Sequence, residues 1–117
     1  FIDSPCTGLG TLRRHADIRW RLRPETIAES AELDARLLES AASHVAPGGI
    51  LAYATCTVTH EENADAVEAF LATEAGAAFE VVPCRNPDLD IELPFFSTVL
   101  EPGGPDAHFL ALLRRKA

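Results

Sequence analysis

The chain has 117 residues, of which 47% are apolar and 24% charged, a composition typical of one folded domain or part of one rather than of a disordered segment. It carries 10 Lys and Arg against 18 Asp and Glu, and the net charge of −8 argues against a simple nucleic-acid-binding module. Three cysteines without CxxC or Cys/His spacing exclude a secreted disulfide framework and predict no metal site.

The chain contains no Met and opens with Phe1-Ile2-Asp3, which is typical of the end of a buried strand. We therefore expect it to be an excerpt of a longer protein. No run approaches the ~18 apolar residues that a membrane span needs, and no signal peptide opens the chain. We predict no membrane association and a reducing, cytoplasmic setting.

The first half of the chain predicts a strand, a loop-rich stretch, a helix and a second strand. The first strand ends at Ile2, and the loop-rich stretch covers 4–23. Pro24 suits a first helical position, and apolar residues at helical spacing continue to Val45 before a Pro-Gly-Gly turn. The apolar run 50–54 predicts a strand buried on both faces, as in a parallel sheet.

The second half continues the alternation. Thr59-x-x-Glu62 resembles a capping box, and the helix that it would open ends near Gly76. A short strand follows at 79–82, and 83–104 is interpreted as a long connection whose two adjacent phenylalanines pack on the body. With a last strand at 108–113, the order of elements predicts an α/β fold with a mainly parallel sheet.

Two cysteines follow the carboxyl ends of predicted strands, where sites form in open α/β sheets. Cys6 follows the first strand and Cys56 the second, and a right-handed crossover would make these strands parallel neighbours, ~4.8 Å apart. Their tips can then face one shared pocket. The two thiols could be inert small hydrophobic side chains, a redox pair, or a nucleophile with a partner.

Basic residues cluster at two places on an otherwise acidic chain. Five of the ten Lys and Arg lie within 13–23, and three lie within 114–116. The first cluster could contact phosphates, or its arginines could be ordinary solvated side chains. Trp20, inside it, could stack on a base, although a tryptophan in this position more often packs a loop.

Local sequence around the cysteines resembles one enzyme family. The stretch 3–20, DSPCTGLGTLRRHADIRW, closely resembles a motif of the RNA cytosine-C5 methyltransferases of the Sun and Rsm type, whose relatives include nucleolar proteins. The stretch 47–57, PGGILAYATCT, and the EEN at 61–63 resemble the next motifs of that family, and DAHFLA at 106–111 resembles its last strand.

The resemblance covers nearly the whole chain, in order. The departures from the family pattern are Ser4 for Ala, Ala16 for Pro, Asp34 for a Gln in the helix, and Ala107 and His108 for Gly and Phe.

The resemblance implies a fold and a chemistry. Residues 1–117 would form the C-terminal part of a Rossmann-like methyltransferase catalytic domain, with an antiparallel last strand and S-adenosylmethionine as cofactor. By resemblance, Cys56 adds as a thiolate to carbon 6 of cytosine, which makes carbon 5 nucleophilic, and Cys6 assists release of the product. Asp3 would hydrogen-bond the base and, with Pro5, help to hold the cofactor. The RNA target would be single-stranded or flipped out.

Further expectations concern the rest of the site. Arg13 and Arg14 are candidates for RNA contact or for ordering a loop, and Cys84 is interpreted as structural. Because the family's glycine-rich cofactor loop would lie upstream of Asp3, we expect the isolated chain to bind S-adenosylmethionine weakly and to be inactive. An open sheet edge could also let it dimerise.

Two rival hypotheses belong to other classes. The chain could be an inactive scaffold or interaction piece with the same fold, or a thiol redox protein. The sequence does not distinguish ribosomal from transfer RNA as substrate.

Overall fold

The computed structural model describes residues 1–86 and 90–117. The helices are α1 (Ile18–Arg21), α2 (Pro24–Ala42) and α3 (Ala64–Leu71), with single 3-10 turns at Leu9–Thr11 and Gly76–Ala78. The strands are β1 (Ile2–Asp3), β2 (Ile50–Thr55), β3 (Phe79–Val82), β4 (Cys84–Asn86), β5 (Ile91–Leu93), β6 (Phe96–Ser97) and β7 (Phe109–Arg115).

The main sheet has the order β1-β2-β7-β3, and β6 also pairs with β7. β1 and β2 are parallel neighbours, as the single helical crossover between them predicts, with Ile2 opposite Tyr53. β7 lies antiparallel to β2, β3 and β6. The expected α/β fold with an antiparallel last strand is confirmed. β1, β2, β3 and β6 run in one direction, but only β1 and β2 form a parallel ladder, because β7 is inserted between β2 and β3.

The core lies between this sheet and the two longer helices. Pro24 is the first residue of α2, as predicted, and the helix buries one residue per turn at 34, 38 and 42. Tyr53 and Phe109 meet edge to face across the β2–β7 pair, with ring centroids 6.3 Å apart. The buried apolar cluster consists of Leu38, Ala42, Leu51, Tyr53, Val67, Phe70, Phe79, Phe109, Ala111 and Leu113.

Several sequence-based boundaries need correction. The loop-rich stretch 4–23 contains the short helix α1 and a 3-10 turn, and α2 ends at Ala42 rather than Val45. α3 ends at Leu71, where a turn leads to Gly76. β2 buries only alternate residues fully, so it has one closed and one half-buried face, not two closed faces.

The long connection predicted at 83–104 is largely structured. It contains the β4–β5 hairpin and then β6, and Phe95 packs on the core with its ring centroid 5.3 Å from that of Phe109. Packing on the body is therefore confirmed for Phe95, whereas Phe96 is half-buried in β6. The part of the predicted connection at 87–89 lies outside the described residues.

Within 1–86 and 90–117, no helix is long and apolar enough to cross a membrane.

Candidate active site

The two cysteine thiols meet at the carboxyl ends of β1 and β2. Cys6 lies three residues past β1 and Cys56 directly past β2, and their Sγ atoms are 3.4 Å apart. Both residues are half-buried and neither forms a disulfide. The structure thus brings together the two cysteines that the sequence placed at neighbouring strand tips.

Backbone hydrogen bonds hold the two cysteine-bearing loops together. The Ser4 N–H donates to the carbonyl of Ala54 over 2.9 Å, and the Gly10 N–H donates to the carbonyl of Cys56 over 2.9 Å. The Gly10 carbonyl in turn accepts from the N–H of Ala107 at 3.0 Å. A Cβ atom on Gly10 would lie 2.1 Å from the Ala107 oxygen, so only glycine permits this close backbone approach.

Glu62 is a fully buried carboxylate that joins both loops. One oxygen accepts the Thr7 N–H at 2.7 Å, and the other accepts the Thr7 hydroxyl at 2.7 Å. The second oxygen also accepts from the hydroxyls of Thr59, at 2.6 Å, and Thr57, at 3.3 Å. Because Thr7 follows Cys6 and Thr57 follows Cys56, one carboxylate fixes the residues next to both thiols.

The capping-box interpretation of this segment was wrong. α3 begins at Ala64, and its N-cap, Asn63, makes no side-chain capping bond. Asn63 instead accepts from the Thr55 hydroxyl at 2.5 Å and donates to the carbonyl of Thr57 at 3.0 Å. Glu62 and Asn63, the last two residues of the EEN sequence, therefore bind the cysteine loops rather than the helix terminus.

The Tyr53 hydroxyl extends this buried hydrogen-bond network. Its hydroxyl donates to the backbone carbonyl of Glu62 over 2.6 Å. The contact ties β2 to the start of α3, so the strand that ends at Cys56 and the residue that fixes both loops form one hydrogen-bonded unit.

Burial changes the ionisation of the Cys6 thiol. Burial raises the pKa of Cys6 to about 12, and the neighbouring Cys56 side chain adds to this rise. Cys6 is therefore a neutral thiol at physiological pH. A neutral thiol is a weak nucleophile but can donate a hydrogen bond to a neighbouring sulfur.

Asp3 and Pro5 lie on the open side of β1. Both are exposed and line a groove of about 780 Å³ that reaches α2 at Leu37 and Ala41 and is lined by neither cysteine. The Asp3 carboxylate is thus available to a molecule in this groove.

Arg13 and Arg14 both contact the loop that precedes β7. Arg14 binds the Asp106 carboxylate through Nε at 2.7 Å, and Arg13 lies 3.8 Å from the same carboxylate. Arg13 also donates to the carbonyl of Gly104 at 2.5 Å. The Arg14 guanidinium holds the pKa of Asp106 below its usual range. Of the two predicted roles, ordering a loop is the one for which these contacts provide a physical basis.

Trp20 does not pack a loop, although a tryptophan in this position more often does so. Its side chain is 79% exposed, and the Arg19 guanidinium lies over the ring, 5.0 Å from the centroid. Nearby, a cavity of about 160 Å³ opens beside Cys6 between Ile18, Leu22 and Thr26. An exposed aromatic ring and a small cavity therefore lie on the same α1 segment.

No group of three or more His, Cys, Asp and Glu side chains within residues 1–86 and 90–117 could hold a metal ion. Cys84 lies in β4, half-buried and remote in sequence from both thiol loops.

Known proteins match the chain over nearly its full length. The sequence profile of the family described as 16S rRNA methyltransferase RsmB/F matches residues 1–114. The ribosomal RNA small subunit methyltransferase B of Thermus thermophilus is 41% identical over 116 residues, which is 98% of this chain and 28% of that protein. The chain therefore spans less than a third of that relative.

Solved structures share the fold. The crystal structure of PH0851 superimposes with a TM-score of 0.82 at 36% identity, over 97% of this chain and 25% of that one. The structure of NSun6 from Pyrococcus horikoshii with SFG superimposes with a TM-score of 0.72 over 99% of this chain and 29% of that one, at 23% identity. Because the family profile matches all but the last three residues, the chain belongs to the 16S rRNA methyltransferase RsmB/F family.

Proposed function

We propose that residues 1–117 are the C-terminal part of the catalytic domain of a cytoplasmic RNA cytosine-C5 methyltransferase whose substrate is ribosomal RNA. The observation that carries this proposal is the pair of thiols 3.4 Å apart at neighbouring strand tips. The family match and the similarity to the ribosomal RNA small subunit methyltransferase B of Thermus thermophilus support ribosomal RNA as the substrate class.

Cys56 is assigned as the nucleophile. Its thiolate forms a bond to carbon 6 of cytosine, and the electrons of the ring double bond shift so that carbon 5 can form a bond to a methyl group. The bond between that methyl group and the sulfonium of S-adenosylmethionine would break in the same step and leave a neutral thioether. Transfer of the carbon-5 proton to water then restores the double bond as the carbon–sulfur bond breaks and Cys56 leaves as a thiolate. The raised pKa of Cys6 supports this assignment, because a thiol that stays protonated is a poor nucleophile.

Cys6 is assigned to the release step. With its proton retained and its Sγ atom 3.4 Å from that of Cys56, it can donate a hydrogen bond to the departing sulfur. Such donation stabilises the negative charge that develops as the carbon–sulfur bond breaks.

S-adenosylmethionine, when bound, supplies an electrophilic methyl group carried on a positively charged sulfur. Asp3 and Pro5 fit one wall of its site, because the groove that they line is open and carries an exposed carboxylate. Asp3 also stands at the tip of β1, where it can hydrogen-bond the target base. The shared fold with NSun6, whose structure was determined with SFG, agrees with a cofactor of this class.

RNA would approach from the side of α1. A cytosine paired in a duplex cannot reach two thiols at the strand tips, so the target cytosine would be single-stranded or flipped out. The basic segment 13–23 can contact the backbone: Arg13 and Arg14 keep exposed faces while they order the loop at 101–106. Exposed Trp20 offers a surface on which a neighbouring base can stack.

We expect the chain on its own to bind S-adenosylmethionine weakly and to be inactive. β1 is two residues long and, among the described strands, pairs with β2 alone, so its other edge is open to a further strand or to a second copy. Calorimetric titration of the isolated chain checks this expectation, and tight binding would contradict it.

Covalent trapping tests the mechanism. Full-length protein containing this chain, wild type or with Cys6→Ala or Cys56→Ala, is mixed with ribosomal RNA fragments and S-adenosylmethionine and run on a denaturing gel. An RNA–protein adduct should accumulate with Cys6→Ala and be absent with Cys56→Ala. An adduct through Cys6 instead would reverse the two assignments. No adduct from any form would favour an inactive scaffold of the same fold.

The thiol separation also suits a redox pair, which is the second candidate function. Titration with glutathione buffers discriminates it. A disulfide between Cys6 and Cys56 that forms at a cytoplasmic potential would support a redox role.

A further inference from the structure

Asp34 occupies a position where an apolar residue is expected. It lies in the middle of α2, on the buried stripe that continues through Leu38 and Ala42, and its side chain is fully buried. One carboxyl oxygen accepts a hydrogen bond from the Ser4 hydroxyl. The other has no hydrogen-bond partner among the described residues. A buried carboxyl with an unpaired oxygen destabilises a fold, so its presence calls for a reason.

Ser4 connects this carboxyl to the thiol loop. It is buried, lies two residues before Cys6, and its N–H binds the carbonyl of Ala54 on β2. The side chain of Ser4 is therefore held by α2 and its backbone by β2. Between them, these contacts fix the point at which the chain leaves β1 and turns toward Cys6.

The two partners also depart together from the pattern of the family that the sequence resembles. Ser4 stands for Ala, and Asp34 stands for Gln. The structure places these two departures in direct contact, as donor and acceptor of one hydrogen bond. A hydroxyl that needs a buried acceptor and a carboxyl that needs a buried donor complement each other.

We propose that Asp34 is a positioning residue that acts through Ser4 to hold Cys6 against the Sγ atom of Cys56 during product release. The inference rests on the proposed function, since it assigns these two residues to one step of that reaction. It predicts that loss of the contact impairs release more than it impairs formation of the covalent adduct.

The surroundings of Asp34 suit a carboxyl that accepts a hydrogen bond rather than one that forms an ion pair. Burial raises the pKa of Asp34, and the charge of Glu62 adds to the rise, whereas the hydrogen bond from the Ser4 hydroxyl favours the ionised form. Amide replacement by Asp34→Asn would retain the oxygen that accepts from Ser4. The proposal therefore distinguishes Asp34→Asn, which keeps the contact, from Ser4→Ala, which removes it.

The experiment uses the full-length protein with an RNA substrate and S-adenosylmethionine, and measures the ratio of trapped adduct to methylated product. Ser4→Ala should raise this ratio by roughly tenfold, toward the value for Cys6→Ala, because small displacements of reacting groups slow a step strongly. Asp34→Asn should leave the ratio near that of the wild type. Glu32→Gln, on the exposed face of the same helix, is the matched control.

A double variant separates positioning from folding. Ser4→Ala combined with Asp34→Gln restores the residue pair of the resembled pattern, and the ratio should return to within about twofold of the wild type. Melting temperatures are measured for every variant. If adduct and product fall together in Ser4→Ala, in step with the melting temperature, the proposal is overturned.

The reference variants distinguish this proposal from the one on which it rests. If Cys6→Ala accumulates adduct and Ser4→Ala does not, the positioning role alone is overturned. If Cys6→Ala itself accumulates none, the proposed function fails and the positioning role fails with it.

Discussion

Thr7 donates both its backbone N–H and its side-chain hydroxyl to the Glu62 carboxylate, each over 2.7 Å. The contact spans 55 positions of sequence and joins the loop after β1 to the residue that precedes the N-cap of α3. Since Glu62 also accepts from Thr57 and Thr59, its two oxygens serve four donors. A carboxylate is suited to this use because it accepts without donating.

Glu62→Gln should therefore destabilise the protein. An amide offers one oxygen and places an NH₂ group where the second carboxylate oxygen accepted, so at least one buried donor, the Thr7 N–H or a threonine hydroxyl, loses its acceptor. We expect a loss of about 1–3 kcal/mol in the free energy of unfolding, measured by urea denaturation. Glu61→Gln is the matched control, since Glu61 is exposed and adjacent. Equal effects of the two changes would contradict the central role of the Glu62 carboxylate.

Gly10→Ala should be more damaging than Gly48→Ala. The added Cβ would lie 2.1 Å from the Ala107 oxygen and 2.7 Å from the Cys56 oxygen, so two backbone segments would have to move apart. We expect a loss of about 3 kcal/mol in the free energy of unfolding. Gly48→Ala is the comparison: its Cβ would meet open space, but its φ of +77° costs about 1 kcal/mol for a non-glycine residue. A smaller loss for Gly10→Ala than for Gly48→Ala would contradict the steric argument.

The raised pKa of Cys6 predicts that this thiol is alkylated slowly at neutral pH. Below a pKa of about 12 the Cys6 thiol is mostly protonated, and the thiolate is the reactive form. Its alkylation by iodoacetamide should therefore be slow at pH 7 and rise about tenfold with each pH unit up to that pKa. Peptide mass spectrometry assigns the modified cysteine, with Cys84 as the internal reference. Rapid modification of Cys6 at neutral pH would show that its environment does not suppress ionisation.

Periodicity and glycine or proline punctuation predicted the elements that carry the thiols. The two strands and the helix between them lie where the sequence indicates, because each has a clear apolar run bounded by a turn. The hairpin at 84–93 was missed because its strands are three residues long and its second strand is exposed throughout. A strand of three residues is too short for a period-2 pattern to stand out in the sequence, and no residue of the second strand is buried.

The contacts that hold the site together were harder to predict. Glu62 was interpreted as a helix cap from Thr59, three positions away, whereas two of its four donors belong to Thr7, which lies 55 positions away in sequence. Asp34 was singled out in the sequence only as a departure from a Gln of the resembled pattern, yet it lies on the buried stripe of α2 and binds Ser4. In both cases local sequence gives the residue type, and only the tertiary fold supplies its partner.

The loop at 101–106 should depend on its ion pair with Arg14. The Asp106 side chain accepts from the Arg14 guanidinium, which holds the pKa of Asp106 below its usual range. Stability from this pair is present above the ordinary carboxyl pKa and is lost as pH falls through the lower, folded-state value. The protection of amide hydrogens at 101–107, relative to their intrinsic exchange rates, should therefore fall below about pH 4, and Arg14→Ala should produce the same loss of protection at neutral pH. Arg21→Ala, which removes an exposed pair with Asp17, should leave this loop unchanged.

Trp20 should contribute to RNA affinity without contributing to stability. Its ring is 79% exposed, so Trp20→Ala should leave the melting temperature of the full-length protein nearly unchanged. Loss of one base-stacking contact should weaken binding of single-stranded RNA about tenfold or more. Trp20→Phe retains an aromatic face and should retain most of the affinity, whereas Arg19→Ala should weaken binding and reduce its salt dependence. Fluorescence anisotropy with a labelled RNA fragment measures each. If Trp20→Ala binds RNA as the wild type does, another surface carries the stacking contact.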